Sequence, residues 1–503
     1  MNRSIATHLN ISRWWSQDED FELRVDVREH EVVFLVRDKT GISYSFDERS
    51  TGLRYFLRYY VQLKAHEPEK DRPEVLLMDE PDAFLSNVGQ QDLLRLFESF
   101  ARPSPPERED QVVYVTHSPF LVNKNAAHRL RVLDKGSDEE GTRVVRDASH
   151  NHYEPIRSSV GGFVAETAFV GGANLFVEGL ADQVLLAATT ALLRDRGTAP
   201  GLLPDLNQVT IVPCGSASHV PYMAYLARGR DEVKPPCVAL LDGDDDGRRA
   251  INRLGRSDVD GRPIIDPAYI VDLGRWAADV SLKPTPGVQV RETEDLIPRS
   301  LMLAAARMYA QHFMGLDEAG ARKLTSAAVG SAVTNADKRS WKGLKQAFAD
   351  TFGGAEIDKV GFARELADLL ERSRREGTSP QGIEALADNF GALLRELAER
   401  MTEARRTEVD RRRNRQLKQL ARSFERDYPS SARRDEGEEV LRAIERSLED
   451  SPQDDIIRQR AAEMRRDFGL KPEDTAPIAE HERFLEELRN LPQQPRVAQE
   501  QRS

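Results

Sequence analysis

A chain of 503 residues exceeds what one ordinary hydrophobic core supports, so two or three domains are expected. No stretch approaches the roughly 20 apolar residues that span a bilayer, and the N-terminal MNRSIATHLNISRWW lacks a signal peptide's apolar segment, so a cytoplasmic protein with no membrane partner is expected. A net charge of −12 argues against a wholly basic nucleic-acid coat, and two cysteines, Cys214 and Cys237, are too few for a disulfide framework or a zinc cluster.

Taken in chain order, FELRVDVRE and EVVFLVRD alternate apolar and polar residues and predict two strands, followed by GISYSF, between about 21 and 46. A helical pattern follows over 50–64, with Ser50 and Thr51 as candidate caps. The loop EPEKDRP leads to the apolar run VLLMDEP, which suits a buried parallel strand. A helix over about 89–101 and the proline-rich loop RPSPPERED precede a second buried strand, QVVYVTH. The strand pair HRLRVLDKG and GTRVVRD closes this first domain near residue 150.

The pattern restarts near 170. ANLFVEG, QVTIVPC, CVALLDGD and AYIVDLG read as strands, separated by the helices ADQVLLAATTALLRDRG, SHVPYMAYLARG and GRRAINRLG. Strands alternating with helices predict an α/β fold with a parallel, doubly wound sheet, which takes its ligands at the carboxyl ends of the strands. From about 300 the chain reads as helical. The expected organisation is 1–150, 165–370 with a helical insertion, a charged helical region over 371–490, and a disordered tail over 491–503.

Two constellations carry chemistry. In the first, Asp79 and Glu80 end the run VLLMDEP, and His117 ends QVVYVTH. Ser50 and Gly52 open a helix in DERSTGLRYFL, and a helix N-terminus suits a phosphate. The plain alternative is an ordinary strand end and a commonplace THS. The order of the three segments resembles the signature, Walker B and switch histidine of ABC-type ATPases. The resemblance implies that Asp79 holds Mg²⁺, that Glu80 polarises the attacking water, and that His117 senses the γ-phosphate. No G-x-x-x-x-G-K-[ST] occurs in the chain, so ATP is expected to act only with a Walker A-bearing partner. That partner would be a separately encoded ATPase lobe or a helicase-like protein.

The second constellation is acidic. Glu178 ends one strand and is followed by Gly179, with Asp182 on the first turn of the next helix. Asp242, Asp244 and Asp246 follow another strand in LLDGDDDGR. Carboxylates gathered at strand ends repel one another, and Mg²⁺ or Mn²⁺ relieves that repulsion because hard cations prefer oxygen ligands. The alternatives are an acidic turn that only caps a helix, or an EF-hand-like loop, although the loop-closing glutamate is missing. With PCGSASH between them, the two acidic segments resemble the TOPRIM domain of topoisomerases, primases and OLD-family nucleases. An ABC-type ATPase followed by TOPRIM is the OLD-family, Gabija-like architecture. The resemblance covers about 20–365 and implies a metal-dependent DNA endonuclease, homodimeric, with Glu178, Asp242 and Asp244 as catalytic residues and a possible role in antiphage defence. It adds Glu294 and Asp295 of RETEDLIP as metal ligands, and Lys359 of IDKVGFARELA near the scissile phosphate; ordinary surface charge is the alternative for all three. Rival functions are a topoisomerase or primase and a non-catalytic interaction subunit. No nucleophilic tyrosine can be assigned, and two cysteines cannot build a primase zinc ribbon.

Lastly, from Arg400 to Arg434 there are 12 Lys/Arg against 5 Asp/Glu. Such a stretch either grips DNA phosphates or is a solvated helix laced with ion pairs.

Overall fold

A computed structural model describes the chain except for residues 1–4, 6–8, 10, 19–20, 28–30, 39, 66–71, 102–109, 119, 124, 126–128, 130, 136–141, 146–170, 229–233, 257–262, 449–450 and 492–503. The proline-rich loop, the boundary near 150 and the tail from 492 therefore lie outside the described residues. No described helix is long and apolar enough to cross a membrane.

In the N-terminal region β1 (Glu22–Val27), β2 (Val32–Arg37) and β3 (Ser43–Ser45) form an antiparallel sheet. Helix α1 (Thr51–Ala65) leads to β4 (Val75–Asp79), and α2 (Asn87–Ala101) leads to β5 (Gln111–Val115), which pairs with β4 in parallel. Leu53, Phe56, Tyr60, Leu93 and Phe97 from the two helices form a core with Trp15 and Phe21. A hairpin of β6 (Val132–Lys135) and β7 (Thr142–Val145) follows.

The β4–β5 pair corrects the expectation of two fully buried strands. Met78, Val112 and Tyr114 pack against the core, whereas Leu77 is 73% and Val113 53% exposed. A parallel pair needs a layer on each face to be buried, and here the described residues cover one face only.

The second region has the predicted alternation: β8 (Asn174–Val177), α3 (Leu180–Asp195), β9 (Thr210–Pro213), α4 (Val220–Arg228), β10 (Cys237–Leu241), α5 (Asp245–Leu254) and β11 (Ile270–Asp272). All neighbours in the sheet β11-β10-β8-β9 run parallel. Every residue of β8 and β10 is buried, as strands covered on both faces must be. Helices α6 (Leu273–Asp279), α7 (Arg299–Met314), α8 (Glu318–Ala321), α9 (Ser326–Asn335), α10 (Ser340–Thr351) and α11 (Lys359–Glu376) follow. α11 lies against α3 and α7, which brings Lys359 back to the sheet.

This core does not stop at residue 370. α12 (Ile383–Asp427) contributes Ile383, Leu386, Phe390, Leu393, Leu397, Met401 and Ala404 to it. The same helix then contributes Leu417, Ala421 and Phe424 to a second core with α13 (Arg434–Arg446), α14 (Pro452–Asp467) and α15 (His481–Asn490). The charged helical region is thus two things: the end of the α/β unit and a separate small bundle. Leu491, placed in the tail by sequence, is buried in that bundle.

Candidate functional site

Glu178 and Asp242 leave the carboxyl ends of β8 and β10, adjacent parallel strands. Their side-by-side position follows from strand register, and the Glu178 Oε1 accepts a hydrogen bond from the Asp242 amide at 2.8 Å. Asp182 sits on the first turn of α3, where its Oδ2 accepts from the Gly179 amide at 2.8 Å and its Oδ1 from the Thr293 hydroxyl at 2.5 Å. Asp244 caps α5, accepting from the Gly247 amide at 2.9 Å. Gly247 is required there, since a Cβ would lie 2.1 Å from the Asp242 carbonyl oxygen.

A 3-10 turn over Thr293–Leu296 supplies the opposite wall. Gly243 donates to the Arg291 carbonyl at 2.8 Å, tying this segment to the strand end. Glu294 is fully buried, and neither of its carboxylate oxygens has a hydrogen bond of good geometry. The Lys359 ammonium, on the first residue of α11, lies 3.0 Å from Glu294 and 3.6 Å from Glu292. The helix start that carries Lys359 is capped by Asp358, which accepts from the Gly361 amide at 2.6 Å.

The buried carboxylates and Lys359 act on one another's charge. Burial, then the charges of Asp182 and Asp244, push Glu178 up to about 7 against the opposing Asp242 amide and Lys359. Asp242 is raised well above the usual range by burial and by Asp182 and Glu178. Glu294 is pushed up to about 7 by burial, opposed by Lys359 and reinforced by Asp182 and Glu292. Burial alone would lower the Lys359 pKa, but the surrounding Glu294, Asp182 and Asp242 charges more than offset this and raise it. The Cys214 thiol, just past the end of β9, is pushed up to about 12 by burial and by Glu178.

Two expected ligands belong elsewhere. Asp295 spends both oxygens on backbone amides: Oδ2 accepts from Arg291 and Glu292, Oδ1 from Ser340. That is a cap holding two segments together. Asp246 is exposed on α5 and pairs with Arg249 one turn on, because helical rotation turns it away from Asp242. Sequence reasoning missed Glu292, which pairs with Arg339 and faces Lys359, and Thr293. Glu292 stands two residues before Glu294, and a run of acids in RETED was the available signal.

Among the described residues no group of three or more Asp, Glu, His or Cys side chains stands in position to hold a metal ion. The donor set nevertheless suits a hard divalent ion. It is all oxygen, it carries excess negative charge, and the fully buried Glu294 carboxylate has the Lys359 ammonium at 3.0 Å as its partner. Glu178, Asp182, Asp242, Glu294 and Asp244 are the residues that would hold it.

The ATPase-like constellation is also brought together. Glu80 and His117 follow the adjacent ends of β4 and β5, with 3.6 Å between Glu80 Oε1 and His117 Nε2. Glu80 has a left-handed backbone (φ 40°), and its amide donates to the Val115 carbonyl at 3.0 Å. Asp79 is exposed at the end of β4. Ser50 caps α1 by accepting from the Leu53 amide at 3.3 Å. A Cβ on Gly52 would lie 2.7 Å from the Phe84 carbonyl oxygen, so glycine lets α1 approach the loop that follows Glu80.

Comparison with known proteins agrees with this second grouping. Residues 8–123 match a family described as "AAA domain, putative AbiEii toxin, Type IV TA system". No curated protein matches the chain. A solved structure titled "Structural biochemistry of ATP-driven dimerization and DNA stimulated activation of SMC ATPases" is 13% identical, covering 29% of this chain and 88% of its own, with a TM-score of 0.21. At that score the likeness supports nothing about function or assembly. Residues 8–123 are thus an AAA-type ATPase-like region.

Proposed function

We propose that the α/β unit is a divalent-metal-dependent DNA endonuclease of TOPRIM, OLD-family type, joined to the ATPase-like region. The observation that carries this reading is the convergence of Glu178, Asp182, Asp242 and Glu294 on Lys359 at the carboxyl ends of parallel strands. When bound, Mg²⁺ or Mn²⁺ would lower the pKa of a water and neutralise charge on a phosphodiester. Glu178, fixed at the strand end beside Asp242, would hold the ion and orient the attacking water. Lys359 keeps its charge and would face a phosphate oxygen, while Thr293 holds Asp182 in one orientation. His117 and Glu80 remain available to a nucleotide whose phosphates a Walker A-bearing partner would cradle. Homodimerisation belongs to the same reading.

The test is nicking of supercoiled plasmid with Mg²⁺ or Mn²⁺. Glu178→Gln and Asp242→Asn should each lower the rate at least about 100-fold, with circular dichroism unchanged. Variants that cut as fast as the parent chain would show that the activity lies elsewhere. No cutting by the parent chain under any divalent ion would favour an interaction subunit.

A further inference from the structure

Strand β9 is the outer strand of the α/β sheet, and an uncovered outer strand leaves backbone groups unpaired. Thr210 and Cys214 donate inward, to Ala173 and Val177. The outward groups are those of Val209 and Ile211; the Val209 amide donates to the Asp205 carbonyl at 2.7 Å, and two amide side chains take the other three. Asn125 Oδ1 accepts from the Ile211 amide at 2.8 Å, and its Nδ2 donates to the Val209 and Leu206 carbonyls at 3.0 and 2.9 Å. Gln183 Nε2 donates to the Ile211 carbonyl at 2.7 Å. The next outward residue is Pro213, which has no amide hydrogen.

These two amides come from different parts of the molecule. Gln183 is on the first turn of α3, next to Asp182. Asn125 belongs to the N-terminal region, eight residues after His117, and is 9% exposed. Its own backbone is held, since its amide donates to Asn123 Oδ1 at 2.9 Å, and Asn123 Nδ2 donates to Glu98 of α2 at 2.8 Å. Closer to His117, Ser118 is bonded to Gln90 of α2 at 2.5 Å. Hydrogen bonds therefore link Asn125, through the two peptide groups of one residue, Ile211, to the helix turn that carries Asp182, and α2 joins Asn123 to Ser118 after His117.

We infer that Asn125 is a positioning residue: it clamps the ATPase-like region to the free edge of β9 and, through Ile211 and Gln183, sets the first turn of α3 beside the acidic centre. Its functional meaning rests on the reading of that centre as the working site, but the joint itself is independent of it. A shift of the His117 segment would be felt at Asp182 by this route.

Hydrogen exchange on the full chain tests the joint without metal or DNA. Asn125→Leu keeps the γ-branched shape with a larger side chain and removes all three bonds. Exchange should rise at least about tenfold at Ile211 and severalfold over residues 183–186, with β10 unchanged as the control. In the Gln183→Leu background, Asn125→Leu should add nothing further over 183–186, because the path is already cut. If Asn125→Leu does not fold, Asn125→Asp keeps the size and the Ile211 acceptor but loses both donors, and should loosen the same two segments less. Faster exchange at Ile211 with 183–186 unaffected, or additive effects of the two variants, would reduce Asn125 to an edge cover and overturn the inference. A plasmid assay on the same variants separates the two claims: an inactive parent chain would sink the nuclease reading and leave the exchange result standing.

Discussion

The Asp242 carboxylate is half-buried beside Glu178 and Asp182 and pays for that position in mutual repulsion. Asp242→Asn should therefore raise the melting temperature of the metal-free protein, on the order of 2–4 °C, while abolishing the further rise that Mg²⁺ or Mn²⁺ gives the parent chain. Differential scanning calorimetry with and without the ion reads both effects; a lower melting temperature for the variant would contradict the repulsion. Asp295 predicts the opposite. It satisfies three backbone amides in the interior, so Asp295→Ala should destabilise by about 2–4 kcal/mol, checked by urea unfolding. Asp246→Ala should leave both cleavage and stability as they are, since its exposed pair with Arg249 contributes little. Three aspartates in acidic motifs thus have three different jobs, and hydrogen-bond partners distinguish them where spacing does not.

At the scale of elements, α12 carries the basic stretch, and the structure divides its charges. Arg405 bonds Gln208, Arg411 pairs with Glu408, and Arg413 bridges Asp410 on its own helix and Asp454 on α14. Arg412, Lys418 and Arg422 are exposed. Arg413 is a structural tie between α12 and α14, so Arg413→Ala should destabilise the C-terminal bundle by about 3 kcal/mol because Asp454 loses its counter-charge. If α12 grips DNA, it does so with the exposed set. Replacing Arg412, Lys418 and Arg422 with Ala should then lower the slope of log K against log salt by about 3, in fluorescence-anisotropy titrations. An unchanged slope would mean a solvated helix.

For the whole molecule, the ATPase-like region presents Asp79, Glu80 and His117 on exposed strand ends next to an apolar face of β4 and β5. The acidic pair repels a triphosphate unless a phosphate loop neutralises it, and these 503 residues contain no such loop. Isothermal titration of the chain with ATP and Mg²⁺ should show no binding in the micromolar range. Measurable micromolar affinity or turnover would require a phosphate site of another kind.

Sequence alone determined the alternating architecture of the second region, because strand and helix periods are local and its apolar runs are long. It also determined Glu178 and Asp242 as strand-end carboxylates, since a residue just past a buried parallel strand emerges at the sheet's carboxyl edge whatever surrounds it. Only the tertiary structure decided the rest. Asp182 meets Thr293 across 111 residues of chain, and Lys359 reaches Glu294 because α11 returns to lie on α3. The same packing spends Asp295 on backbone amides and extends the α/β core along α12 to Ala404. It also leaves one face of β4 and β5 uncovered by the described residues, and brings Asn125 to β9. Periodicity reports which face of an element is apolar; which segment comes to cover that face depends on long-range contacts that no local pattern encodes.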